Sequence, residues 1–86
     1  MDKQKLRNLE EVLIEKLNEW ATNKHLAEIL VDTFLATMDA EEWDSDDKMR
    51  VLETAKDYFR KGDGRGLFIY EVVEYECMAI KVNEGY

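Results

Sequence analysis

Residues 66–82, GLFIYEVVEYECMAIKV, contain no glycine, proline or asparagine after Gly66. What this stretch becomes decides the fold class of the chain. As a strand, it places Phe68, Tyr70, Val72, Glu74, Glu76 and Met78 on one face and Ile69, Glu71, Val73, Tyr75, Cys77 and Lys81 on the other. Neither face is cleanly polar, and a single uninterrupted strand of this length is unusual in a small domain. A hairpin would turn near VEYE, where no turn residue stands. As a helix, Glu71, Glu74, Met78, Lys81 and Glu84 share one stripe, and Phe68, Val72, Tyr75, Ala79 and Val82 lie opposite, flanked by Ile69, Val73 and Ile80. The many β-branched and aromatic residues favour a strand. Length and periodicity favour a helix, and we expect a helix over 67–82.

The rest of the chain reads as helical. Leu6, Leu9, Leu13, Leu17 and Trp20 recur at helical spacing over residues 2–22, with Val12 and Ile14 widening the face and Asp2 near the positive end. Thr22 and Asn23 form a break, since both residue types cap helices. A second helix follows over 24–38, with Leu26, Ile29, Leu30, Phe34, Leu35 and Met38 as its broad apolar side; one bent helix over 2–38 is the alternative. Asp44 or Ser45 can cap a third helix over 45–61, with Asp46 and Asp47 in its first turn. Its core face is Met49, Leu52, Ala55 and Phe59, with Val51 and Tyr58 beside it. Gly62 suits the left-handed residue that ends a helix. The expected fold is thus all-α, a small four-helix single domain over residues 1–86. The alternative is α+β, three helices followed by a C-terminal strand or hairpin. Short helices of this kind need their apolar faces packed together.

With 86 residues, 45% of them apolar, the chain makes one folded domain. No apolar run approaches a membrane span, the N-terminal residues lack a signal peptide's apolar region, and a single cysteine makes no internal disulfide. These features fit a cytoplasmic protein.

The net charge of −8 disfavours direct contact with nucleic acid or an anionic membrane. That charge is unevenly spread. Residues 25–47 carry eight acidic side chains and no lysine or arginine, and DAEEWDSDD, residues 39–47, holds six carboxylates around one tryptophan. The candidate partner-binding residues are therefore Asp39, Glu41, Glu42, Trp43, Asp44, Asp46 and Asp47. Tryptophan is over-represented among residues that dominate binding energy, and carboxylates around it steer a basic partner. The competing expectation is that Trp43 folds back as a lid on the core while the acids cap the third helix.

Other constellations are weaker. The acidic run lacks the Asp-x-Asp-x-Asp-Gly opening of an EF-hand and ends in Arg50 where a bidentate glutamate belongs, so no metal site is expected. KGDGRG lacks the Gly-Lys-Ser/Thr of a phosphate loop, although Lys61 and Arg65 could supply a small basic spot. His25 has no nucleophile motif to serve. Glu74 and Glu76 disfavour a Cys77 thiolate, which leaves Cys77 a packed or half-buried side chain. On a helix those two acids point about 160° apart and cannot flank one substrate. We therefore expect no catalytic residues, no cofactor and no enzyme.

The functional expectation is a small acidic binding or regulatory protein that offers residues 39–47 to a basic surface of a partner protein, for example a nucleic-acid-binding protein. An inhibitor or immunity-type protein is one form of this, by likeness of size and charge only, since no family motif is present. A structural homodimerisation module is the alternative, with apolar surface of the second and fourth helices buried between two copies; a small metal-binding protein or enzyme is a third, less favoured reading.

Overall fold

A computed structural model describes residues 3–61 and 67–83. Among them lie four helices: α1 (Lys3–Trp20), α2 (Lys24–Ala40), α3 (Ser45–Arg60) and α4 (Leu67–Asn83). No strand occurs among the described residues, so the fold is all-α and the α+β alternative is set aside. Asp2, Glu84 and residues 62–66, including the expected helix stop at Gly62 and the basic spot at Arg65, lie outside the described residues.

The break after α1 is real. The backbone of Asn23 is extended, and its Oδ1 accepts a hydrogen bond from the Leu26 amide at 2.9 Å. That cap satisfies one of the amides that a helix start leaves without a partner. Ala21, fully buried, seals the corner between the helices.

The helix at 67–83 forms despite its β-branched composition because packing outweighs propensity. Its buried residues are Ile69, Val72, Val73 and Cys77, at steps of three, one and four, which only a helical period places on one side. This face differs from the one expected. Tyr75 and Val82 stand in solvent at 71% and 77% exposure, and the core stripe lies roughly 100° round the helix, on the flank of Ile69 and Val73. Cys77 is 1% exposed and belongs to the core, not to its edge.

The other helices divide the same way. On α1, Leu6, Leu13 and Leu17 are buried, whereas Trp20 is 59% exposed and contributes nothing to the core face expected of it. On α2, the buried residues are Ala27, Val31 and Met38. Leu30, Phe34 and Leu35 pack at the margin, and Leu26 and Ile29 are exposed. On α3, Met49, Val51, Leu52, Ala55 and Phe59 are all buried, and Tyr58 lies outside.

In cross-section, α1 packs against α2 and α3, and α4 against α3 and α2. Two contacts, Thr54 with Glu10 and Tyr58 with Asn18, advance the same way along both helices, so α1 and α3 run in the same direction. None of the described helices is long and apolar enough to cross a membrane.

Candidate functional site

The acidic run joins α2 to α3, and two pieces of local chemistry fix its shape. Helix α2 ends in a Schellman motif: the Trp43 amide donates to the Met38 carbonyl and the Glu42 amide to the Asp39 carbonyl, both at 3.0 Å. This motif needs a left-handed residue after the cap, usually glycine. Here it is Glu42, at φ 61°. Trp43 is the next residue, the position whose side chain packs back on the last helical turn. It does so: Trp43 and Met38 are both buried in the one core cluster, with Trp43 only 5% exposed.

The second piece is the start of α3. Asp44 has extended backbone, and its Oδ1 accepts from the Asp47 amide at 2.8 Å. Asp46 and Asp47 follow in the first turn, where the helix dipole favours negative charge.

The indole expected as a docking anchor is therefore a lid on the core. Its Nε1 has no hydrogen-bond partner among the described residues. The carboxylates have a different fate. Asp39, Glu41, Glu42, Asp44 and Asp46 are exposed and Asp47 is half-buried. Lys5 pairs with Glu41 at 3.1 Å, tying the link to α1, and Lys48 pairs with Asp39. The six acids thus run from the last turn of α2 through the connection into the first turn of α3, and the tryptophan is turned away from them into the core.

Other titratable groups fall outside this link. Burial pushes the Cys77 thiol up to about 11, and its sulfur is sealed in the core, so it is no nucleophile at neutral pH. His25 is exposed in the first turn of α2. Glu74 and Glu76 face different neighbours, as the helix requires. Glu74 accepts a hydrogen bond from Tyr70, which raises the phenol's pKa. Glu76 is raised by burial first, then by the charge of Asp32, a hydrogen bond with it, and Glu28. That meeting of Glu28 and Asp32 on α2 with Glu76 on α4 escaped the sequence, where the three lie far apart. No group of three or more metal-ligating side chains is placed to hold an ion among the described residues.

No protein-family model matches this chain, and neither the curated proteins nor the solved structures searched contain a match.

Proposed function

We propose that this protein binds a basic surface of a partner protein through the carboxylates of the α2–α3 connection, in a regulatory or inhibitory role without chemistry of its own. One observation carries this proposal: six carboxylates lie within residues 39–47, five of them exposed, spanning the end of α2, the capped connection and the first turn of α3. Lys5 pairs with Glu41 and Lys48 with Asp39, and residues 25–47 themselves carry no lysine or arginine, so the segment is strongly negative. Such a face raises association rates with positive partners and sets their orientation. Because the cap geometry fixes the backbone, little ordering cost opposes binding. The indole is not part of this face; it holds the link onto the core from beneath.

The test is affinity capture with wild type and with Glu41→Gln/Glu42→Gln, at about 50 mM and about 500 mM salt. A basic protein held by wild type at low salt should be lost at high salt and by the double variant. Capture that resists both changes would remove the electrostatic basis of this proposal.

A second reading, a homodimer, draws on the exposure of Leu67, Tyr75, Met78 and Val82 on α4 and of Leu26 and Ile29 on α2. Sedimentation at two protein concentrations separates it, since a dimer shifts mass with concentration.

A further inference from the structure

Helix α2 has two uncharged sides, and only one of them faces the core. Ala27, Val31 and Met38 centre the buried side. At about 100° per residue, a second stripe about 120° wide runs along the solvent side from Leu26 to Ala40. Leu26, Ile29 and Leu30 form its first half, Ala36, Thr37 and Ala40 its second, and Thr33 lies between them. All are exposed except Leu30, which is half-buried. None is charged: Lys24, Glu28, Asp32 and Asp39 all fall off the stripe. The Thr33 hydroxyl donates to the Ile29 carbonyl at 2.8 Å and the Thr37 hydroxyl to the Thr33 carbonyl at 3.0 Å. The stripe therefore carries no side-chain proton in need of an acceptor outside the helix.

The order of side chains along this stripe complements its own reverse. Leu26 and Ala40 each stand seven residues from Thr33, Ile29 and Thr37 four, and Leu30 and Ala36 three. Against a second α2 running antiparallel, with a two-fold axis at Thr33, every large side chain meets a smaller one. Charge follows the same axis. Helix α2 opens on Lys24 and His25, with no acid in its first turn and the positive end of its dipole there. It ends on Asp39, with Glu41 and Glu42 just beyond. In the antiparallel pair, Glu41 and Glu42 of one copy come level with His25 and Lys24 of the other. The exposed apolar residues of α4 offer no such match, since Glu71 shares their stripe with Leu67, Tyr75, Met78 and Val82.

We propose that α2 binds a second copy of this chain, the two α2 helices packed antiparallel about a two-fold axis at Thr33. This rests on the homodimer reading and specifies the surface that it uses. A two-fold contact requires a patch that complements itself, which this stripe does. Thr33, Ala36, Thr37 and Ala40 let the two backbones approach, and Leu26, Ile29 and Leu30 fill the space over them. The net charge of −8 makes two copies repel, whereas the stripe brings no charge of its own to desolvate. At about 1.5 Å per residue the stripe is about 21 Å long. One helix pair of that length covers less than a standard interface, so the dimer is weak, with a Kd on the order of 100 µM.

The test is sedimentation velocity of the intact chain at about 10 µM and about 1 mM, which bracket that constant. A monomer is expected at the lower concentration and a dimer at the higher. Thr33→Glu puts two like charges on the axis and should leave a monomer at both. Its site is exposed, and circular dichroism should show unchanged helicity. Tyr75→Glu, on the exposed side of α4, should leave the dimer as it is. Nitroxide labels on Thr33→Cys and on Ala40→Cys read the direction of packing, since Cys77 is sealed in the core. In the antiparallel pair the two Thr33 positions are level, and the two Ala40 positions lie about 21 Å apart along the helix axis. Equal distances at the two sites would overturn the antiparallel register. A dimer that survives Thr33→Glu and is lost in Tyr75→Glu would overturn this interface while the homodimer reading stands. A monomer at both concentrations would overturn the two together.

Discussion

Glu42 and Trp43 stand side by side and show how one backbone angle decides the fate of a side chain. A left-handed glutamate costs about 1 kcal/mol relative to glycine at the same position. The cost is borne because it turns the chain so that the next residue, Trp43, covers the core. Glu42→Gly should therefore stabilise the protein by about 1 kcal/mol, read as a higher urea midpoint with an unchanged slope. A lower midpoint would show that the glutamate side chain supports the turn. The two tryptophans have opposite settings, Trp43 at 5% and Trp20 at 59% exposure. In Trp20→Phe the remaining emission should be blue-shifted and resist acrylamide quenching. In Trp43→Phe the remaining emission should resemble an indole in water. Free quenching of Trp43 in the first variant would return the indole to the docking surface.

At the scale of the element, α4 is the informative helix. Its apolar residues surround more than half of its circumference, so amphipathicity alone does not say which side is covered. The contacts of α2 and α3 select the flank of Ile69, Val73 and Cys77. Val73→Ala should cost about 2 kcal/mol, mostly as lost burial and a small void, whereas Tyr75→Ala should change stability by less than about 0.5 kcal/mol. Thermal or urea unfolding of the two variants checks this. The reverse order would place the core on the side that periodicity alone suggests.

For the whole molecule, the acid excess becomes a pH effect where α2 meets α4. Burial, then Asp32, holds Glu76 above its ordinary value of 4.5. The folded state therefore binds that proton more tightly than the unfolded chain does. The stabilisation this gives is complete below 4.5 and is lost as pH rises through the raised value. Near neutral pH, the ionised Glu76 stands against Asp32 and Glu28 with nothing gained. Glu76→Gln should raise the melting temperature at neutral pH and flatten its dependence across the weakly acidic range. Added salt should narrow the gap between the variant and wild type, because it screens the same repulsion. A variant less stable than wild type at neutral pH would show that the glutamate makes a favourable contact there.

What the chain determined by itself was local. The four helical segments, the Asn23 and Asp44 caps, and the gathering of acids between Asp39 and Asp47 all follow from neighbours within a few residues, because periodicity and capping act over one or two turns. Which side of α4 is sealed, why Trp20 is wet while Trp43 is dry, and how Glu28 and Asp32 come to face Glu76 were decided by the tertiary structure. These depend on which helix lies against which. That choice is made by burying the largest apolar area among faces too broad for any one segment to rank.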